Sequence, residues 1–181
     1  TASVNDLTFS NYGGQGSHGS IKVGNNGHLV VSGYENGTAP TVTFDAVTLT
    51  FGPGIDNELC VIKMDTSGNA LWATTLDSST TNDELYPKIA TDDAGNVYLA
   101  LYSEGDPIYF ANDTLFNPLA PGYCALLKYD VTGIPLWGVG LYPSAILSDI
   151  FDILINPQQD ILLCGASKGP GLFAGFPLPA I

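Results

Sequence analysis

The side chains that acid–base, thiol or metal chemistry would draw on are few in this chain. There are two histidines, His18 and His28, three cysteines, Cys60, Cys124 and Cys164, and eighteen acidic groups. Hydrolysis of a glycosidic bond needs two carboxyl groups about 5 to 9.5 Å apart across one cleft. Asp92, Asp93, Asp149 and Asp152 are the residues eligible for such a pair. Calcium needs several hard oxygens in a defined order. Asp92, Asp93 and Asn96 crowd one turn, and Asp77, Asp83 and Glu84 crowd a connecting segment, but neither group has the spacing of an EF-hand loop, so solvated acidic turns are expected. Zinc would draw on a histidine cluster or a Cys-x-x-Cys pair, and neither occurs. Gly13-Gly14-Gln15-Gly16 lacks the lysine and following helix of a phosphate loop and reads as a flexible connection. His28 directly follows a turn, where an exposed structural histidine is expected rather than a general base. These patterns assign no catalytic residue, no cofactor and no metal.

What must position these residues is a repeated phrase. Cys60 to Trp72 and Ala125 to Trp137 share one pattern, with Asp130 following Asp65 by 65 residues, and a fixed period points to one supersecondary unit copied along the chain. The apolar run Leu59 to Met64, an Asp-x-x-Gly step and a resumption at Asn69 to Leu76 predict a β-hairpin. Asp65 can bond the backbone ahead of it, and Gly68 can take the positive φ that such a loop requires. Asp130 and Gly133 repeat the arrangement. Another hairpin precedes each of these. Ile21 to Gly24 and His28 to Tyr34 flank Asn25-Asn26-Gly27, and Lys88 to Thr91 and Asn96 to Tyr102 flank Asp92-Asp93-Ala94-Gly95. A third copy, Ile153 to Ile155 and Asp160 to Gly165, flanks Asn156-Pro157-Gln158-Gln159, which has no glycine and leaves its turn geometry open.

Each unit therefore supplies four short antiparallel strands, with a polar insertion between the second and third. The pairs Phe44 and Leu49, Phe110 and Leu115, and Phe173 and Leu178 are expected to staple these insertions to the sheets. Trp72 and Trp137, on the outermost strands, are expected to pack between neighbouring units. Repeated four-stranded units are the signature of a β-propeller. The expected fold is all-β: a partial β-propeller of four-stranded antiparallel blades, about two and two-thirds repeats of period 65, excerpted from a longer propeller. Residues 1–18 are read as the end of a preceding blade and a linker, with Asp6 to Ser10 its last strand. Residues 19–77 and 85–142 are read as two blades and 150–181 as an incomplete one. Closed propellers take about four to eight blades, so further blades or a larger complex are expected to be contiguous with this segment.

The phrase Lys-x-Asp-x-x-Gly-x-x-Leu-Trp (Lys63, Asp65, Gly68, Leu71, Trp72; Lys128, Asp130, Gly133, Leu136, Trp137), with Asp92, Gly95, Asn96, Tyr98 and Leu99 nearby, resembles the SBBP-type β-propeller repeat over nearly the whole chain. That resemblance implies a large secreted or surface protein of bacteria, often Bacteroidota, where many such proteins are cargo of the type IX secretion system. It implies little about activity, because propellers host unrelated functions. Quinoprotein-type tryptophan-docking repeats place the glycine four residues after the aspartate and sialidase Asp boxes place it two after, whereas here the step is three. Asp113-Thr114-Leu115 is similar to the O-glycosylation acceptor of Bacteroidota, which marks Thr114. Asn36-Gly37-Thr38 and Asn112-Asp113-Thr114 match the N-glycosylation pattern.

Composition bounds the partners. A net charge of −13 repels phosphate backbones and anionic membrane surfaces at long range, which argues against nucleic-acid binding. No stretch approaches the roughly 18 consecutive apolar residues of a membrane span. Cys60 and Cys124 lie one residue out of register on corresponding strands and should face opposite sides, so three buried thiols are expected rather than a disulfide. The insertions 35–53 and 103–122 are long and carry or adjoin aromatic residues; Tyr109 and Tyr123 are the candidate binding residues, while Phe110 and Phe116 are expected to fold the insertion onto its blade. The expected function is a non-catalytic, extracellular or outer cell-surface scaffold or binding module for a protein or glycan partner, adhesin-like and part of a surface or secretion-linked assembly. The alternative is a propeller-fold polysaccharide-active enzyme, a glycosidase or lyase, with its site outside this segment or at its edge.

Overall fold

The computed structural model of the chain describes residues 19–24, 26–36, 41–44, 46–50, 57–76, 84–104, 107–116, 122–143, 148–167, 171–173 and 176–178. Among them every regular element is a β-strand, and every pairing is antiparallel. β1 (Ser20–Val23) and β2 (Leu29–Asn36) form a hairpin, β3 (Thr41–Phe44) and β4 (Val47–Thr50) form a small separate one, and β5 (Asn57–Met64) and β6 (Ala70–Leu76) form a third. The first sheet has the order β1-β2-β5-β6. The next residues repeat this plan: β7 (Glu84–Thr91), β8 (Val97–Ser103), the small hairpin β9 (Ile108–Phe110) and β10 (Asp113–Leu115), then β11 (Tyr123–Tyr129) and β12 (Pro135–Pro143). β13 (Ser148–Ile155) and β14 (Ile161–Ser167) pair as a two-stranded sheet that begins a third unit. The hairpin of β15 (Gly171–Phe173) and β16 (Phe176–Leu178) does not stand apart as its two counterparts do. It pairs with the end of β12, Leu141 opposite Phe173, and extends the second sheet to six strands. The described residues form no closed ring of sheets, and Asp6 to Ser10 lies outside them.

Five tight turns share one hydrogen-bond pattern. At residues 24–28, 65–69, 92–96, 130–134 and 156–160 the first N–H donates to the fifth carbonyl, and the fourth N–H donates back to the first carbonyl. The fourth residue takes a positive φ each time: Gly27 (77°), Gly68 (87°), Gly95 (82°), Gly133 (90°) and Gln159 (67°). The third unit therefore keeps the turn without its glycine. There Asn156 and Asp160 exchange the roles that Asp92 and Asn96 play in the second unit. The Asp160 N–H donates to Asn156 Oδ1 at 2.8 Å, and Asn156 Nδ2 donates to Asp160 Oδ2 at 3.0 Å, where Asn96 N and Nδ2 donate to Asp92.

The sheets stack face to face, and strand periodicity explains the core. Because side chains alternate across a strand, the apolar runs 97–102 of β8 and 123–127 of β11 serve two interfaces at once, as a strand buried on both faces requires. Val97, Leu99, Leu101, Ala125, Leu127 and Tyr129 meet Val30, Leu59, Val61 and Trp72 of the first sheet. The alternate residues Tyr98, Ala100, Cys124 and Leu126 meet Ile150 and Ile153 of the third. The staples behave as expected where side chains are described: Phe44 and Leu49 pack with Cys60 and Ala73, and Phe110 and Leu115 join the core between the first two sheets. Among the described residues no helix is long and apolar enough to cross a membrane.

Candidate functional site

Where the first two sheets meet, on the side of the five turns, a polar clasp holds them together. Lys63 lies between Val30 and Trp72 in the register of the first sheet. Its side chain runs into the interface and is fully buried, and Nζ donates to the carbonyl of Gly95 at 2.7 Å and to that of Val131 at 3.3 Å. Trp72 Nε1 donates to the same Val131 carbonyl at 3.0 Å. Two side chains of one unit thus grip carbonyls in both turns of the next. The Trp72 ring lies 5.9 Å from that of Tyr129 and directly against Gly133, where an added Cβ would fall 2.8 Å from the indole. Burial lowers the Lys63 pKa, and the charges of Asp92 and Asp130 pull it back up. An enclosed ammonium whose donors end on backbone carbonyls fastens two sheets; it has no access to a substrate.

The second unit has a related cluster. Asp92 is only 7% exposed, which corrects the expectation of a solvated acidic turn. Its carboxylate accepts from Asn96 N at 2.8 Å, Asn96 Nδ2 at 2.7 Å and Tyr98 Oη at 3.1 Å, with Lys128 Nζ 3.5 Å away. Lys128 also lies 4.7 Å above the Tyr98 ring, a cation–π arrangement. Burial works against the Asp92 charge, but the Asn96 and Tyr98 hydrogen bonds and Lys128 outweigh it and hold the carboxyl below the ordinary range. Asp65 and Asp130 are held low chiefly by bonds from the Asn69 and Thr132 side chains.

The other carboxylates do not gather around Asp92. Asp93 is exposed and pairs with the third turn, accepting from Gln159 Nε2 at 3.0 Å. Asp152 is exposed, opposite Cys164, and accepts from the Ile153 N–H at 2.9 Å. Asp149 lies at the far end of β13 from the Asn156 turn. Six strand steps separate Asp149 from Ile155, about 20 Å at the usual rise, so Asp149 and the Asp92–Asp93 turn are not the close pair that glycoside hydrolysis needs. No group of three or more metal-ligating side chains occurs among the described residues. His28 is half-buried, and its Nδ1 lies 3.2 Å from Asn26 Nδ2 within its own turn. His18, Asp77 and Asp83 lie outside the described residues, as does the side chain of Glu84.

The two candidate binding tyrosines separate. Tyr109 is 65% exposed on β9, between buried Ile108 and Phe110. Opposite it on β10 stands Thr114, also exposed, so the glycosylation candidate and the aromatic ring share one outward face. Beneath them Phe110 packs edge-on against Tyr129 at 4.9 Å. Tyr123, by contrast, is 0% exposed: its hydroxyl donates to the Leu115 carbonyl at 2.6 Å and accepts from the Ile108 N–H at 3.2 Å. It ties the β9–β10 hairpin to β11 from inside and presents nothing to a partner. Phe116 is 43% exposed instead of folding the insertion down.

The cysteines also divide. Cys60 and Cys124 are buried on opposite faces, as their register implied, and no disulfide joins the three. Cys164 is exposed, because it lies on a two-stranded sheet. Burial, followed by the nearby Asp149 charge, pushes the Cys124 thiol up to about 12, which suppresses its thiolate.

The clasp was missed in the sequence, although one signal was there: in both copies a lysine falls between buried apolar residues, Lys63 between Ile62 and Met64 and Lys128 between Leu127 and Tyr129. A cation in such a run must find partners in the interface. A scan against protein-family models and a search of curated proteins each find nothing that matches this chain.

Proposed function

We propose that this chain is a non-catalytic, extracellular or cell-surface segment of a β-propeller of the SBBP-repeat kind, acting as a rigid scaffold that binds a protein or glycan partner within a larger surface or secretion-linked assembly. The observation that carries this reading is the β9–β10 hairpin. Its inner face, Ile108, Phe110 and Leu115, is buried in the core, and its outer face presents Tyr109 beside Thr114. A loop element pinned from beneath and displaying an aromatic side chain is a common way for a sheet scaffold to carry recognition. An aromatic face suits the apolar face of a sugar ring or a protein side chain, and it needs no acid–base pair. The stacked four-stranded units support the propeller part, since their faces meet as successive blades do.

The test is an array of purified bacterial surface polysaccharides and outer-membrane proteins, probed with the protein and with Tyr109→Ser. At least one feature should be bound, with the signal falling about three- to ten-fold in the variant, the range expected for one aromatic contact. Binding unaffected by Tyr109→Ser, or no feature bound, would overturn the assignment of the hairpin. Release of reducing sugar from an arrayed polysaccharide would overturn the non-catalytic reading.

A further inference from the structure

The small hairpins of the first two units agree on their buried sides and differ on their outward sides. Phe44 and Leu49 of the first correspond to Phe110 and Leu115 of the second, and both pairs pack inward. The registers match: Thr43 stands opposite Thr48, and Tyr109 opposite Thr114. Outward, the first hairpin carries the exposed threonines Thr43, Thr48 and Thr50, with the Thr43 and Thr48 hydroxyl oxygens 3.1 Å apart. In the second, Tyr109 takes the place of Thr43 and Phe116 that of Thr50, and the two rings are 65% and 43% exposed. The hairpin therefore forms with small polar residues at these positions, and neither ring is needed to fill the core. Leu115 is buried between Thr114 and Phe116, so alternation along the chain puts Phe116 on the outward side with Thr114. Phe116 is then the diagonal cross-strand neighbour of Tyr109, their backbones about 7–8 Å apart. At the turn, exposed Asn112 and Asp113 add an amide and a carboxylate to the Thr114 hydroxyl.

We infer that this face binds a neutral oligosaccharide, Tyr109 and Phe116 each stacking on one sugar ring while Asn112, Asp113 and Thr114 hydrogen-bond its hydroxyl groups. The inference rests on the reading of the hairpin given above and deepens it by choosing the ligand. A sugar ring has an apolar C–H face and a rim of hydroxyl groups, and this hairpin sets two aromatic faces beside an amide, a carboxylate and a hydroxyl. Size argues against a folded protein as the partner. A stable protein interface buries about 1,200–2,000 Å² in total, and the outward side of two three-residue strands supplies a small part of that. Charge selects among sugars: a net charge of −13, with Asp113 at the turn itself, repels uronic acids and sulfated chains. The platform is also formed before any ligand arrives. The Tyr123 hydroxyl fixes the hairpin from beneath through the Leu115 carbonyl and the Ile108 N–H, so binding needs little ordering of the backbone.

The probes are cellohexaose, mannohexaose and N-acetylchitohexaose, with hexagalacturonate as the acidic counterpart, each titrated calorimetrically into the protein. The variants are Tyr109→Thr and Phe116→Thr, which give the second hairpin the residues that the first already carries. At least one neutral hexaose should bind, and either substitution should weaken it about three- to ten-fold. Hexagalacturonate should bind about ten-fold more weakly than that hexaose, or worse. No neutral hexaose bound, or hexagalacturonate bound as tightly, overturns the inference; a protein feature whose binding Tyr109→Thr still weakens would then leave the hairpin reading standing without it. Weakening by Tyr109→Thr alone overturns the two-ring platform. A neutral hexaose bound equally by the protein and both variants overturns the hairpin reading as well.

Discussion

Gly68 and Gly133 offer a controlled comparison. Both are the fourth residue of an Asp-x-x-Gly turn, with φ of 87° and 90° and the same pair of backbone hydrogen bonds. An alanine at either must take a left-handed conformation, at a cost of about 1–2 kcal/mol. Their surroundings differ: a Cβ at Gly68 would meet nothing within 4 Å, whereas one at Gly133 would lie 2.8, 3.0 and 3.0 Å from three atoms of the Trp72 ring. That ring is held by its bond to the Val131 carbonyl and by Tyr129, so it cannot swing aside cheaply. Overpacking of this kind costs about 1–3 kcal/mol more. Gly68→Ala should therefore destabilise by about 1–2 kcal/mol and Gly133→Ala by about 2–5 kcal/mol. Urea unfolding followed by far-UV circular dichroism measures both. Placing Gly133→Ala in a Trp72→Leu background should bring its cost close to that of Gly68→Ala, because the two positions are then no longer coupled. Equal costs for the two alanines in the native background would refute the docking of the indole on the neighbouring turn.

Two further outcomes follow from the buried polar groups. Tyr123→Phe leaves the Leu115 carbonyl and the Ile108 N–H without the hydroxyl that joins them, and should cost about 1–3 kcal/mol; amide exchange in β9 and β10 should quicken, and unchanged exchange there would contradict the tie. Asp92 is held below its ordinary pKa when folded, so its contribution to stability is complete above the unfolded value and lost as pH falls through the folded one. Asp92→Asn should accordingly flatten the loss of stability below about pH 4, and a slope identical to that of the parent in urea midpoints measured from pH 5 to pH 2 would contradict the assignment.

The strands and turns were largely legible because their determinants are local. Asp65, Asp92 and Asp130 bond the N–H groups ahead of them within their own turns, and Gly68, Gly95 and Gly133 take the positive φ in place. Even the glycine-free turn reduces to a local fact once Asn156 and Asp160 are seen to exchange roles. What could not be read depends on which sheet lies across the interface. Lys63 looks like a surface cation until the carbonyls of Gly95 and Val131, 32 and 68 residues away, are placed beside it. Tyr123 and Tyr109 look alike in the chain, yet one closes a hairpin from beneath and the other stands above it. Cys164 was expected to be buried like the other two thiols, but its own sheet has two strands where those of Cys60 and Cys124 have four and six, which leaves it exposed. The attachment of β15 to β12 likewise follows from proximity in space and has no counterpart in the spacing of Phe173 and Leu178.

The five turns of shared hydrogen-bond pattern lie on one rim of the stack, while the connections from β2 to β3, β8 to β9 and β14 to β15 leave from the opposite rim. On the first rim, one added residue would slide a strand by one place and exchange its inward and outward side chains. On the second, chain can be gained or lost without disturbing any pairing within the sheets. Evolutionary drift in length, and any peptide grafted by design, should therefore be tolerated on one side of this molecule alone.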